Sequence, residues 1–180
     1  ENYGIDSFGD ISFDSDADTG DNPVDLVAVV TPAVVERVYV SCDGAVDQID
    51  QFAASVTGSL SPLSPASVPA PVNSAPGPMV ANPTGTRLYV ATTNAPSILQ
   101  FAIGNGTGLL SPLGSPSVAT AGNPGALAMS SDGQTVYAAI PSLNEIQVFR
   151  VGGTGVLAPV RRFRTRPGTS DLALLPVAQP

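Results

Sequence analysis

One short pattern returns three times, and it constrains the fold more than any other feature of the chain. Arg37-Val38-Tyr39-Val40, Arg87-Leu88-Tyr89-Val90 and Thr135-Val136-Tyr137-Ala138 place their tyrosines 50 and 48 residues apart. A period of that size marks a repeated supersecondary unit that buries its apolar faces by stacking on its neighbours. After each tyrosine segment comes a second alternating one: Gln48-Ile49-Asp50-Gln51-Phe52, Ser97-Ile98-Leu99-Gln100-Phe101 and Glu145-Ile146-Gln147-Val148-Phe149. Period-two patterning makes these strands. A third set follows a Thr-Gly turn, at Leu60-Ser61-Pro62, Leu110-Ser111-Pro112 and Leu157-Ala158-Pro159. Proline fits there only on an edge strand.

The fourth segment of each unit precedes the tyrosine strand: Asp25 to Val30, Gly77 to Ala81 and Gly125 to Met129. These stretches are short and rich in small residues, as the crowded innermost strand of a propeller requires, whereas an outermost strand tolerates Pro and Ser. The order reads as inner strand A, then B, C and outer strand D. The expected fold is all-β: β-propeller blades of four antiparallel strands, three whole blades plus partial blades at both termini. Residues 1–24 form a partial blade (strands C and D) with an acidic loop, 25–72, 73–120 and 121–166 form the three blades, and 167–180 supply strand A of a further one. Such a half ring leaves open faces, so completion by a homo-oligomer, a polymer or a partner chain is expected.

The turn-and-strand segments Pro83-Thr84-Gly85-Thr86-Arg87-Leu88-Tyr89-Val90-Ala91-Thr92 and Ser131-Asp132-Gly133-Gln134-Thr135-Val136-Tyr137-Ala138-Ala139 resemble the YVTN repeats of the seven-bladed lactonase-like β-propellers. The resemblance covers roughly residues 25 to 176. It implies a propeller, but not one activity, because the family mixes sugar-lactone hydrolases, cycloisomerases and cell-surface repeat proteins.

Composition narrows the chemistry. The chain has no Lys, His or Trp, so the usual general base and the commonest metal ligand are missing. A net charge of -8 argues against nucleic acid and anionic membranes as partners, and no apolar run is long enough for membrane insertion. The single cysteine, Cys42, reads as a small residue filling strand space. An extracellular or cell-surface location, with any signal peptide already removed, is the expectation from composition and from the opening residues.

Two charged stretches stand out. Asp14, Asp16, Asp18, Asp21 and Asp25 have the alternating carboxylates of an oxygen-rich Ca²⁺ loop. Thr19 stands where such a loop needs Gly, Asp25 replaces the bidentate Glu, and flanking helices are lacking. The stretch therefore reads as a flexible acidic linker, with bound Ca²⁺ as the alternative. Arg161, Arg162, Arg164 and Arg166 form a cationic outer strand whose alternation puts the last three on one face. Meeting the acidic N-terminal segment of a neighbour is the favoured role, over a carboxylate or phosphate site. Tyr39, Tyr89 and Tyr137, with Phe52, Phe101 and Phe149, read as packing between blades.

The favoured function from these features is a non-catalytic extracellular or surface scaffold, self-associating or completed by a partner. The alternative is a lactonase-like hydrolase acting on a sugar lactone.

Overall fold

The computed structural model describes residues 2–5, 11–15, 19–33, 36–168 and 171–173. Twelve of its strands form three sheets of four, each a simple up-and-down antiparallel meander. Blade 1 contains β3 (Pro23–Val30), β4 (Glu36–Asp43), β5 (Asp47–Ala54) and β6 (Leu60–Pro69). Blade 2 contains β7 (Pro76–Ala81), β8 (Arg87–Thr92), β9 (Ser97–Ile103) and β10 (Leu110–Ala119). Blade 3 contains β11 (Ala126–Met129), β12 (Thr135–Ile140), β13 (Glu145–Val151) and β14 (Leu157–Arg164). The strands β1 (Asn2–Ile5) and β2 (Ile11–Ser15) pair as an antiparallel hairpin. The inner strand expected from residue 167 onward lies partly outside the described residues, and 171–173 carry no strand.

Blade 2 is packed between blades 1 and 3, so its middle strand β8 is apolar on both faces and buried along nearly its whole length. Outer strands face solvent and carry the Ser and Pro residues that an unpaired edge tolerates. They run further than the sequence suggests. Beyond Pro62 and Pro112 the register breaks and pairing resumes at Ser67 and Ser117. Gln51 and Gln100 span those breaks by donating Nε2 hydrogen bonds to the Pro65 and Ser115 carbonyls, at 3.1 and 3.0 Å.

The same two glutamines also join blade to blade. Gln51 Oε1 accepts the Leu110 N–H of blade 2, and Gln100 Oε1 accepts the Leu157 N–H of blade 3, both at 2.6 Å. Beside them the Tyr39 and Tyr89 hydroxyls donate to the carbonyls of Gly108 and Gly155, at 2.6 and 2.7 Å. Both glycines sit in the C–D turn of the following blade at positive φ, 74° and 89°, where a side chain would be strained. Arg37 closes the first joint by donating to Gly106 and Thr107 carbonyls, while Arg87 makes one longer bond to Thr154. Around these contacts lie two apolar clusters, one linking Tyr39 and Ile49 to Leu88, Val90 and Phe101, the other linking Tyr89 and Ile98 to Val136 and Phe149. Tyr39, Tyr89, Phe101 and Phe149 therefore pack between blades, as their recurrence suggests, whereas Phe52 clusters with Val38, Val40 and Cys42 of its own blade.

Each joint buries a strand N–H that a glutamine side-chain carbonyl accepts. Gln100→Ala is expected to leave the Leu157 N–H unsatisfied and to lower stability by about 1–3 kcal/mol, read from the urea midpoint. Burial pushes the Tyr39 and Tyr89 phenols from 10.0 up to about 12, with Arg37 and Arg87 pulling in the opposite direction. Between those pH values the unfolded chain has released protons that the folded chain keeps, so stability is complete below pH 10.0 and falls as pH rises toward 12. Urea midpoints measured across that window are expected to fall, and to fall less in the Tyr39→Phe/Tyr89→Phe variant.

Candidate functional site

Up-and-down order puts the B–C turns and the D–A connections at one end of every blade, and the A–B and C–D turns at the other. At the first end, between blades 1 and 2, lies a cleft of 380 Å³ whose polar lining comes from Asp43, Asp47, Asn73 and Asn94. Two of these residues flank the B–C turn of blade 1, Asn73 belongs to the D–A connection, and Asn94 belongs to the B–C turn of blade 2.

The D–A connection is held by both blades. Asp47 Oδ2 accepts the Ser74 N–H at 2.8 Å, and the Asp47 carbonyl accepts the Ala70 N–H at 2.9 Å. From blade 2, Asn94 donates its side-chain Nδ2 to the Asn73 carbonyl at 3.0 Å and its backbone N–H to the Ser74 carbonyl at 3.1 Å. Asn73 and Ala75 adopt left-handed backbone at φ 60° and 48°. Ala75 has no side chain that could offset that strain by a local hydrogen bond. Asp43 accepts a side-chain hydrogen bond from Asn22 on the approach to β3. The cleft thus offers carboxylate acceptors next to amide groups that both donate and accept, a set suited to a polyhydroxylated ligand. Among the described residues no three His, Cys, Asp or Glu side chains gather as a metal site.

The residues singled out from sequence fall elsewhere. Asp16 and Asp18 lie outside the described residues, as does the side chain of Asp14, which belongs to β2. Asp21 is exposed, and Asp25 stands on the inner strand with its Oδ2 accepting the Met79 N–H of blade 2 at 2.7 Å. Ser41 reinforces that inner joint by donating to the Gly77 carbonyl at 3.0 Å. Arg161, Arg162 and Arg164 are exposed on β14, and Arg166 lies beyond its end. Arg162 pairs with Glu145 of its own blade at 3.3 Å, and Arg161 sits over the Phe163 ring. Cys42 is fully buried, and burial, followed by the Asp50 carboxylate, pushes its thiol up to about 12, so it is an inert core thiol. The cleft residues escaped sequence reasoning because they come from separate turns with no shared spacing. Gln51 and Gln100 did leave a signal, since they occupy the same repeat position.

A family model described as "Lactonase, 7-bladed beta-propeller" matches residues 28–169. No curated protein sequence matches the chain. Among solved structures, a candidate 6-phosphogluconolactonase from Bacteroides fragilis superposes with a TM-score of 0.76 at 17% identity, over 97% of this chain and 54% of that one. A second candidate 6-phosphogluconolactonase, from Bacteroides uniformis, gives 0.72 at 19% over the same shares. The periplasmic gluconolactonase of Pseudomonas aeruginosa gives 0.64 at 25%, over 78% of this chain and 41% of that one. The chain thus spans about half the length of these structures.

These matches overturn the expectation of a non-catalytic scaffold and favour its lactonase-like alternative. The lack of histidine weighed too heavily, because a site shared around a ring need not draw each of its groups from three blades. The strain in the cleft loop is directly testable: Ala75→Gly is expected to raise stability by roughly 0.5–1 kcal/mol in urea unfolding, as left-handed backbone then costs no Cβ contact.

Proposed function

Because the chain belongs to the seven-bladed lactonase β-propeller family, we propose that it contributes part of a site that binds and hydrolyses a sugar lactone, at the ring face built from B–C turns and D–A connections. The observation that carries this reading is the cleft of Asp43, Asp47, Asn73 and Asn94 at that face, inside the matched residues.

Hydrolysis of a lactone needs water to attack the ring carbonyl, a base to take the water proton, donors to hold the developing oxyanion, and a proton for the departing ring oxygen. Asp43 and Asp47 suit the binding that precedes those steps, accepting hydrogen bonds from sugar hydroxyls and placing the ring. The Asn94 and Asn73 amides can donate to ring or carbonyl oxygens. The chain carries no imidazole, so a carboxylate of this face, or a group on further blades of the ring, serves as base. Further blades close the channel and exclude bulk water from the carbonyl.

Titration with glucono-δ-lactone, followed by side-chain amide NMR, is expected to shift the Asn73 and Asn94 signals. Acid release in a pH-stat is expected to exceed the spontaneous rate. Asp43→Ala is expected to weaken binding by about 10-fold or more, the loss of a hydrogen bond to a charged acceptor. Unmoved amides together with acid release at the spontaneous rate would overturn the reading.

A further inference from the structure

The turn that makes the joint between blades 1 and 2 also carries a chemical weakness. The C–D turn of blade 2 is closed by hydrogen bonds from the Gly104 N–H to the Leu109 carbonyl, at 2.9 Å, and from the Gly108 N–H to the Gly104 carbonyl, at 2.8 Å. Asn105 and Gly106 stand at its tip, and Asn105 is exposed. Asn105 is the only asparagine of the chain that glycine follows. Gly106 has φ 79°, a conformation that strains any side chain, so the turn requires glycine at this position.

Attack of a backbone nitrogen on the side-chain amide before it needs a free N–H, a free amide and no Cβ in the way. Asn105 meets all three conditions. Among the described residues the Gly106 N–H donates no hydrogen bond, and the Asn105 amide makes none. Other asparagines with described side chains each fail one. Asn22, Asn82 and Asn123 precede prolines, whose nitrogen carries no proton. The Ser74 N–H after Asn73 donates to the Pro71 carbonyl and to the Asp47 carboxylate, at 3.1 and 2.8 Å. The Asn94 amide donates to the Asn73 carbonyl, and Asn144 precedes the bulkier Glu145. The two Asp-Gly pairs are held as well. Asp43 accepts the Asn22 amide, Asp132 accepts from Ser130 and Gln134, and the Gly133 N–H donates to the Ser130 carbonyl.

We propose that Asn105 is a site of spontaneous deamidation to isoaspartate, and that this modification loosens the joint between blades 1 and 2. The Gly106 nitrogen bonds to the side-chain carbonyl carbon of Asn105, and the bond from that carbon to Nδ2 breaks. Ammonia leaves with the proton that the Gly106 nitrogen gives up, and a cyclic imide remains. Water then opens the imide. Where it adds to the former backbone carbonyl, the chain continues through the side-chain carbon and gains a backbone methylene. That methylene falls beside three carbonyls that hold blade 1. Gly106 and Thr107 accept from Arg37 at 3.0 and 3.2 Å, and Gly108 accepts the Tyr39 hydroxyl at 2.6 Å. A lengthened turn whose ends stay paired at Gly104 and Leu109 cannot present all three carbonyls in place, and a buried donor that loses its acceptor is costly. The inference concerns the opposite end of the blades from the polar cleft and is independent of the lactone-binding reading.

Folded chain aged at mildly alkaline pH, then digested and fragmented by electron transfer, is expected to show isoaspartate at Asn105 forming several-fold faster than any conversion at Asn73, Asn94 or Asn144. Aged wild-type chain is expected to unfold at a lower urea midpoint than fresh chain. Asn105→Gln, which would have to close a larger imide ring, is expected to keep its midpoint on ageing. Freshly prepared Asn105→Asp, which adds the charge without the methylene, is expected to match fresh wild type. Conversion at Asn105 no faster than at the other asparagines overturns the proposal. An equal fall in aged Asn105→Gln, or conversion at Asn105 with no fall in the wild type, overturns the link to the joint. A fresh Asn105→Asp chain as weak as the aged wild type overturns the role of the methylene and assigns the loss to charge.

Discussion

The structure depends on how one apolar sheet is fixed against the next. Within a blade the ladder hydrogen bonds set register, but between blades the contact is largely hydrophobic, and hydrophobic contact is non-directional. Two flat apolar faces could settle at several offsets for similar burial. The tyrosine-to-glycine bond and the glutamine-to-strand bond remove that freedom, because a buried donor left without its acceptor costs about 1–3 kcal/mol. At any offset except the observed one, Tyr39 and the Leu110 N–H would both lose their partners. The glycines belong to the same logic: the C–D turn presents its carbonyl at Gly108 through a left-handed residue, and the Arg37 side chain packs where a Cβ would stand.

The cleft inherits its shape from that fixed offset. Its D–A connection is tied to blade 1 through Asp47 and to blade 2 through Asn94, so the distance between carboxylates and amides follows the angle between the two sheets. Asp25 and Ser41 add a second tie at the inner edge, binding the backbone of β7 at Met79 and Gly77. With both ends of the connection anchored, left-handed backbone at Ala75 persists although alanine disfavours it. A loop held by two rigid sheets can keep a ligand geometry that a free loop of the same sequence would lose.

What the sequence made legible was whatever repeats. Strand order, the inner and outer character of each strand and the packing tyrosines all follow from period-two alternation and from a period near 50 residues. The repeat marks the outer strands only as far as Pro62 and Pro112, whereas Gln51 and Gln100 carry the pairing past the break beyond them. Asp25 was read with the acidic stretch because it lies twelfth from Asp14, yet spacing along the chain says nothing of the Met79 N–H that approaches from the next blade. The cleft was illegible for a related reason. Asp43, Asp47, Asn73 and Asn94 meet only once two blades stack, and no local pattern announces them.

The missing histidine shows how far composition reaches in a fold of this kind. A compact domain without histidine has no imidazole anywhere near its site, and the inference to chemistry is short. A ring distributes its site over every blade, each lending a few side chains to a shared face, so three blades sample only part of the chemistry. What three blades do determine is geometry: which end of the sheets carries the polar loops, how those loops are tied, and at what offset one sheet meets the next. That offset constrains the cleft itself, because a slip between blades 1 and 2 that unpaired the Tyr39 hydroxyl would also carry Asn94 away from the connection that Asp47 holds.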